Sequence, residues 1–377
     1  MADYAPIADA HNPVELTREI RVAGTQLAFA LAGLGGFNAH GAGFLQAARD
    51  NCVEPDLVTA TSGQIIVLAA YLRGEPNLKT GLIDKEIEHD PLAQLRIALT
   101  GYRGVFEPAF WEAAKRILTP PWFKPDLNFF ADKFLPAQLY KPARTAETIA
   151  ALAQTFNDSQ VGVVFNTFDP DTGNGLLYGN DAARKRMPTE TSIGIVPDQQ
   201  SRDPKIAKTR VAEQAILPIT EAAISSALWL SLYGFDPVAM PQRQMDGAYH
   251  RSCILSELHA FDRVIVCRPL ANGWRDEDWP KSYFDVQDWN TEMWFSVGYK
   301  AEADAMKRIN ALIHRGAIAP ESGFKEVDLL EVEPTTPAGY FNYFVERDSV
   351  YEDARERADA LFKWLAGGKV GPRPNPS

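Results

Sequence analysis

The chain has 377 residues, of which 46% are hydrophobic and 23% charged, a composition typical of a soluble globular protein with one large domain or two moderate ones. The net charge of -11 argues against nucleic acid as the main partner, because binding a polyanion requires a positive surface. It also disfavours electrostatic docking on an anionic bilayer, whereas hydrophobic docking stays open. The cysteines at 52, 253 and 267 lack metal-ligand spacing and are interpreted as reduced thiols, which suit a cytoplasmic location.

Residues 1–25 predict an irregular arm, since they contain Pro6 and Pro13 and no sustained hydrophobic period. They lack the basic start and apolar core of a secretory signal. No segment approaches the roughly 18 to 20 apolar residues of a transmembrane helix, so we expect no membrane span.

The most informative stretch begins at Gln26 and ends at Arg73. Its first element is a short apolar run, Leu27–Ala32, which predicts a buried strand. A glycine-rich turn, Gly33-Leu34-Gly35-Gly36, follows and supplies amides that are free to bind a ligand. Apolar residues then recur at helical spacing over 39–51, which predicts a helix.

A second strand is predicted at Leu57–Thr61, ending on Ser62 and Gly63, and an apolar helix is predicted over 65–72. This alternation of strands and helices predicts an α/β fold. A serine at a strand-to-helix turn lies where an exposed nucleophile would be, beside amides that could stabilise negative charge on a carbonyl oxygen. A serine is a weak nucleophile, so a base must come from elsewhere in the chain.

The segment from 74 to 142 is rich in proline and in Phe and Trp. These aromatic side chains either pack a small helical subdomain or form the wall or lid of an apolar pocket. Under the second interpretation the substrate-binding candidates are Phe110, Trp111, Trp122 and Phe123.

The rest of the chain shows further regular elements. We predict a helix over 143–156 capped by Thr145, a strand over 162–167, a polar surface loop over 180–210, a helix over 220–230, a turn at 246–248, a strand over 264–267, and helices over 299–315 and 350–365.

Three motifs resemble those of patatin-like phospholipases. Residues 33–45 resemble the glycine-rich loop and following helix of that family, in which the loop usually reads GGGxRG or GGGAxG. Residues 60–64, Ala-Thr-Ser-Gly-Gln, fall where its GxSxG elbow belongs, and Asp246-Gly247-Ala248 resembles its DG(G/A) motif. The resemblance covers residues 26–270.

The resemblance implies a Ser-Asp dyad in which Ser62 is the nucleophile and Asp246 takes its proton directly, without histidine. It also implies an oxyanion hole formed by the backbone amides around Leu34, Gly35 and Gly36. A carboxylate can act as this base only at hydrogen-bond distance, about 2.6 to 3.2 Å.

The fold that the resemblance implies is a three-layer α/β/α domain over 26–270 with a mostly parallel central sheet. A helical lid would be inserted at 80–142, and a helical extension would follow over 271–377.

The chain departs from the family pattern at Leu34, Phe37, Asn38, Ala60 and Gln64. Asn38 is a mild change, because asparagine tolerates positive φ better than other non-glycine residues. Gln64 is the largest change, because a glycine at its position normally relieves crowding at the tight elbow.

A degenerate dinucleotide-binding loop is one alternative, from Gly33, Gly35 and Asn38. It is disfavoured because the third glycine is missing and no strand ends in an acidic residue about 20 positions later. A Ser-His-Asp hydrolase is another alternative, with a base among His40, His89, His250, His259 and His314. No cluster of His, Cys or Asp has metal-ligand spacing, so we expect no catalytic metal and no cofactor.

The sequence therefore predicts a serine acyl hydrolase that cleaves carboxylic esters of lipid type through an acyl-Ser62 intermediate, with Asp246 as general base. The expected partner is an acyl-ester small molecule or lipid, with transient membrane contact and a homo-oligomer both left open. Two alternatives stay open: an acyltransferase that uses the same dyad, and a non-catalytic lipid-binding or scaffold protein.

Overall fold

The computed structural model describes residues 25–33, 38–79, 99–101, 104–118, 139–187, 216–235, 239–270, 279–319, 324–333 and 348–367. Several sequence predictions fall outside these ranges: Leu34, Gly35 and Gly36 of the oxyanion hole, Trp122 and Phe123 of the substrate site, His89, most of the 80–142 lid and nearly all of the N-terminal arm.

Strands and helices alternate along much of the described chain. The strands are β1 (Leu27–Leu31), β2 (Leu57–Ala60), β3 (Phe106–Pro108), β4 (Tyr140–Pro142), β5 (Gly162–Asp169), β6 (Asn174–Gly179), β7 (Leu217–Pro218), β8 (Met245–Asp246), β9 (Arg263–Cys267) and β10 (Asp328–Val332). The α-helices are α1 (Ala39–Asp50), α2 (Gln64–Leu72), α3 (Phe110–Leu118), α4 (Ala146–Asp158), α5 (Asp181–Arg186), α6 (Glu221–Ala227), α7 (Tyr283–His314) and α8 (Asp348–Ala366).

The central sheet has the strand order β10-β9-β1-β2-β5-β6-β7. The strands from β10 to β5 are parallel neighbours, whereas β6 and β8 pair antiparallel with β5. The described fold is therefore mixed α/β with a mostly parallel central sheet, as predicted. Leu31 lies opposite Ala60, so the residues after β1 and after β2 leave the sheet at one edge, where open α/β sheets place their ligand sites.

Side chains alternate between the two faces of the central strands, as the pleat requires. On one face Phe29, Val58 and Phe165 pack with α1, α2, α4 and α8. On the other face Ala28 and Val164 belong to a second apolar cluster with residues of α5 and α7. Both faces are thus covered, which is why the strands read as near-continuous apolar runs.

Helix α8 packs directly on α1. A Cβ at Gly43 in α1 would lie 2.1 Å from the Tyr351 carbonyl oxygen, so the two backbones approach closely. Phe362 is fully buried, and its ring centroid lies 5.7 Å from that of Phe44 and 6.2 Å from that of Phe29. The last described helix is therefore part of the core around β1.

The predicted strands at 27–32 and 57–61 and the predicted helices at 39–51 and 65–72 are confirmed, with ends that shift by a residue at most. Thr145 caps α4 by accepting from the amide of Thr148. The segment after 270 is not purely helical, since β10 joins the central sheet beside β9. Helix α7 begins at Tyr283, well before the predicted start at 299. None of the helices in the described part has the length and apolar composition needed to cross a bilayer.

Candidate active site

Ser62 lies between the end of β2 and the start of α2, and its backbone has a φ of +59°. A left-handed conformation is uncommon for a residue with a Cβ and costs about 1 to 3 kcal/mol, so the surroundings must hold it in place. The turn closes with hydrogen bonds from the Gln64 amide to the Thr61 carbonyl at 3.2 Å and from the Ile65 amide to the Ser62 carbonyl at 3.1 Å. Ser62 is thus fixed on a sharp turn at the carboxyl edge of the sheet.

The Ser62 hydroxyl donates to Oδ2 of Asp246 at 2.5 Å, across 184 residues of sequence. The other carboxylate oxygen, Oδ1, accepts from the Ala248 amide at 2.9 Å. The Asp246 amide donates to the Trp229 carbonyl at 3.0 Å, and β8 pairs with β5 opposite Thr167. The structure therefore brings together the two residues that the motifs indicated, with the carboxylate held at both oxygens and by its backbone.

Asn166 supports the turn that carries Asp246. Its amide nitrogen donates to the carbonyl oxygens of Gly247 at 3.2 Å and Arg251 at 2.9 Å. A Cβ at Gly247 would lie 2.2 Å from the Asn166 side chain, so only glycine leaves room for this contact. The strand β5 thus positions Asp246 through a buried side chain as well as through strand pairing.

Burial raises the pKa of Asp246 to about 7. The Ser62 hydroxyl, the Ala248 amide and the positive charge of Arg144 each act in the opposite direction, because they stabilise the carboxylate. At neutral pH this group therefore exists in both protonation states, as suits a residue that takes up and returns a proton.

Gly33, at the start of the glycine-rich loop, and Gly63, at the elbow, allow close contact. A Cβ at Gly33 would lie 2.3 Å from the Thr61 carbonyl oxygen and 2.8 Å from the Ser62 Cβ. A Cβ at Gly63 would lie 2.2 Å from the Asn38 side-chain oxygen. The residues that border the loop therefore pack directly on the turn that carries Ser62.

Gln64 is fully buried and reaches back to α1. His40 Nε2 lies 2.8 Å from the Ala32 carbonyl oxygen and 3.0 Å from the Gln64 amide nitrogen. A carbonyl oxygen can only accept a hydrogen bond, so His40 Nε2 must carry the imidazole hydrogen. The side-chain amide of Gln64 is therefore assigned with its oxygen, and not its nitrogen, towards the His40 ring. Burial lowers the pKa of His40 to about 4, so the ring is neutral at pH 7. His40 thus links the end of β1, the start of α1 and the start of α2.

The other described histidines lie elsewhere. The His250 ring stacks on Phe168, with 6.1 Å between centroids, and the His259 ring stacks on Phe324 at 4.2 Å. His314 is exposed near the end of α7. Within the described ranges the side chain that meets the Ser62 hydroxyl is a carboxylate and not an imidazole.

Phe110 and Trp111, which were predicted to bind substrate, lie at the start of α3 with 62% and 80% of their surface exposed. Their role in substrate binding stays a prediction. Nowhere in the described ranges are three His, Cys, Asp or Glu side chains grouped so that they could hold a metal ion.

No protein-family model matches the chain, and a search of curated proteins finds no significant match. The likeness to patatin-like phospholipases therefore rests on the motifs themselves.

Three groups near the dyad were not singled out as site residues from the sequence. From the sequence, His40 was considered only as a possible base and Gln64 only as a departure from the motif. The two residues are 24 positions apart, and their contact joins α1 to α2. Arg144 acts on Asp246 from a position that no motif marks. Gly41 leaves the space that Gln64 fills, but the sequence alone does not show that these two positions face each other.

Proposed function

We propose that the protein is a serine hydrolase of carboxylic esters that forms an acyl-enzyme on Ser62, with Asp246 as the base. The observation that carries this proposal is the 2.5 Å hydrogen bond from the Ser62 hydroxyl to the Asp246 carboxylate, at a turn where Ser62 has a φ of +59°. A serine on a strained strand-to-helix turn, already bonded to a carboxylate, matches the nucleophile and base that nucleophilic catalysis requires. Ser62 is 1% exposed, which differs from the exposed serine expected from the sequence.

In the first half of the reaction, Ser62 Oγ attacks the ester carbonyl carbon while Oδ2 of Asp246 accepts its proton. The protonated Asp246 then donates that proton to the departing alkoxide, which leaves as an alcohol. In the second half, water attacks the acyl-enzyme, Asp246 accepts the water proton, and the proton returns to Ser62 as the carboxylic acid leaves. A pKa of about 7 supports both directions of transfer near neutral pH.

Negative charge on the carbonyl oxygen requires donors, and the amides around Leu34, Gly35 and Gly36 are proposed for that role from the motif. The Gly63 amide, the first after the nucleophile, is a further candidate, because it makes no hydrogen bond to the described residues. Removing one such donor costs about 2.7 to 4 kcal/mol of transition-state stabilisation.

The proposed architecture is a three-layer α/β/α domain of the patatin-like type with a lid at 80–142. The two apolar clusters on opposite faces of the sheet support the layering. The density of aromatic residues in the insertion supports lipid-type esters as substrates. Transfer of the acyl group to an acceptor other than water would use the same dyad.

A fluorophosphonate probe tests the proposal directly, with peptide mapping by mass spectrometry to locate the label. We expect the label on Ser62, none in Ser62→Ala, and at least about a hundredfold slower labelling in Asp246→Asn, because the nucleophile then lacks its base. Ser226→Ala is the matched control, since Ser226 is a buried serine bonded to the Pro241 carbonyl. Absence of labelling in a folded wild-type protein would favour the non-catalytic alternative.

A further inference from the structure

Arg144 lies between β4 and the start of α4, and no carboxylate in the described part of the chain forms an ion pair with it. Its positive charge acts on the Tyr233 hydroxyl, which donates to the Val105 carbonyl at 2.9 Å. A guanidinium carries five donors and stays protonated, so a neutral phenol satisfies only part of its capacity. The Asp246 carboxylate acts on Arg144 through its charge, without an ion pair between the two, so this half-buried cation keeps donors with which it could bind an anion.

The same residue lines a cavity of about 530 Å³ between the start of α4 and α6. This volume falls within the range of about 300 to 1,000 Å³ that is usual for small-molecule sites. Among the described residues that line it, Arg144 is the only cation, and apolar side chains such as Ile149, Leu228 and Trp229 form most of the wall. Glu221 also lines the cavity and is exposed to solvent.

Two residues that line the cavity interact with Asp246, the proposed base. Trp229, in its wall, accepts the hydrogen bond from the Asp246 amide at 3.0 Å, and the charge of Arg144 acts on the Asp246 carboxyl. A ligand bound to the Arg144 guanidinium would therefore lie nearer to Asp246 than to Ser62.

We propose that this space, which we name the Arg144 cavity, is a second binding site for an anionic amphiphile, a carboxylate or phosphate group carried on an apolar chain. The anion would pair with the guanidinium, which can bind either group through two parallel hydrogen bonds. The chain would lie against Ile149, Leu228 and Trp229, where its burial is favourable.

Occupancy has a consequence that rests on the proposed function. An anion on Arg144 offsets the positive charge that now stabilises the Asp246 carboxylate, so Asp246 would hold its proton more tightly and act as a weaker base. Tyr233 and Tyr249 also face Asp246, and burial raises the pKa of both, so they stay neutral and do not replace that charge. Binding itself does not depend on catalysis.

Isothermal titration calorimetry on Ser62→Ala separates binding from hydrolysis. The probes, used below their micelle concentrations, are decanoate, decyl phosphate, decanol, acetate and inorganic phosphate. We expect saturable one-site binding of decanoate or decyl phosphate, and at least about tenfold weaker binding of decanol and of the two headgroups without a chain. The ratio of the two decyl affinities tells whether the site prefers a carboxylate or a phosphate.

Two variants locate the site. Arg144→Gln removes the charge and Ala222→Trp fills the cavity, so each should weaken binding at least about tenfold. The matched controls are Arg184→Gln, an exposed arginine on α5, and Ala151→Trp, an exposed alanine on α4, which should change the affinity less than about twofold. Glu221→Gln should strengthen binding, because it removes a like charge from the rim.

The proposal is overturned if neither decyl anion binds saturably, if decanol binds as well as decanoate, or if Ala222→Trp leaves the affinity unchanged. Binding that survives both Arg144→Gln and Ala222→Trp would place the amphiphile elsewhere, for example beside Ser62. If Arg144→Gln does not fold, the affinity of Ala222→Trp and the comparison of decanoate with decanol still test the proposal. Binding to Ser62→Ala with no esterase activity in wild type would keep this site and reject the proposed function.

Discussion

The side chain of Gln64 occupies the space that a side chain at Gly41 would need: a Cβ there would lie 1.7 Å from the end of the Gln64 side-chain amide. Gln64 stands where the family motif has its second elbow glycine, so the crowding expected at the elbow is relieved on the facing helix. The glutamine at 64 can therefore be accommodated because the facing residue, at 41, is a glycine.

The first prediction is that these two positions are coupled. Gly41→Ala should lower stability and slow labelling of Ser62, because Gln64 is fully buried and must be displaced. Adding Gln64→Gly should restore most of the loss, with a coupling free energy of about 0.5 to 3 kcal/mol from urea denaturation of the four proteins. Gly43→Ala is the control, since its Cβ would meet the Tyr351 carbonyl at 2.1 Å and Gln64→Gly should not rescue it. Simple additivity at 41 and 64 would contradict the coupling.

Activity should depend on the ionisation of Asp246. The base must be deprotonated to accept the serine proton, so kcat/KM should rise with pH and reach half its maximum near pH 7. Arg144 lowers the pKa of Asp246, so Arg144→Gln should move this midpoint to higher pH. The measurement is ester hydrolysis and probe labelling from pH 5 to 9; a profile that is flat over this range would exclude Asp246 as the titrating base.

Stability should show the opposite dependence on pH. The folded pKa of Asp246 is raised from 3.8 to about 7, so the folded state holds a proton that the unfolded chain has released. This contribution is complete below pH 3.8 and is lost as pH rises through 7. Between pH 5 and 8, wild type should therefore lose about 2 to 3 kcal/mol of unfolding free energy relative to Asp246→Asn. Parallel stability curves for the two proteins would show that the carboxyl is not protonated in the fold.

Helix α8 should be required for the stability of the core. Phe362 is fully buried against Phe29 and Phe44, so Phe362→Ala should cost about 3 to 5 kcal/mol in urea denaturation. Lys363→Ala is the matched control, because that side chain is 67% exposed and its ion pair with Asp359 contributes little. A small cost at both positions would mean that α8 is only loosely attached.

The aromatic residues of α3 give a test of the lid. Phe110 and Trp111 are largely exposed, so replacing both with alanine should change stability by less than about 1 kcal/mol. If the insertion binds the acyl chain, the variant should lose activity on long-chain esters far more than on acetyl esters, since each buried methylene contributes about 0.8 kcal/mol. Equal losses on both esters would leave these residues without a role in chain-length preference.

The elements around Ser62 could be predicted because their signals are local. An apolar run, a glycine turn and a helical period fall within 26–73, and the observed ends differ little from the predicted ones. The strand β10 could not be predicted in this way, because Glu331 interrupts its apolar residues. Glu331 is buried there beside two cations: Arg268, 63 residues away, lies 3.0 Å from one carboxylate oxygen, and Lys307 lies 3.7 Å from the other.

The contacts of the site depended on more than local signals. Ser62 and Asp246 are 184 positions apart, and no spacing rule connects them, so only the likeness of two short motifs to a known family paired them. From the sequence, Gln64 was interpreted as the largest departure from the motif, because the sequence does not show which residue of α1 faces it. That information belongs to the packing of two helices and becomes visible only in three dimensions.

The contact between α1 and α8 bears on how the chain is made. Asn51 at the end of α1 bonds to Asp359 of α8 across 308 positions of sequence. At roughly 5 to 20 residues per second, a ribosome needs about 15 to 60 s to synthesise that interval. Throughout this time Phe29 and Phe44 lack their cover from Phe362, so the nascent chain exposes an apolar surface that chaperones recognise and that can aggregate. The core around α1 can therefore reach its final packing only after α8 has been synthesised, so we expect the yield of folded protein to depend on the supply of chaperones.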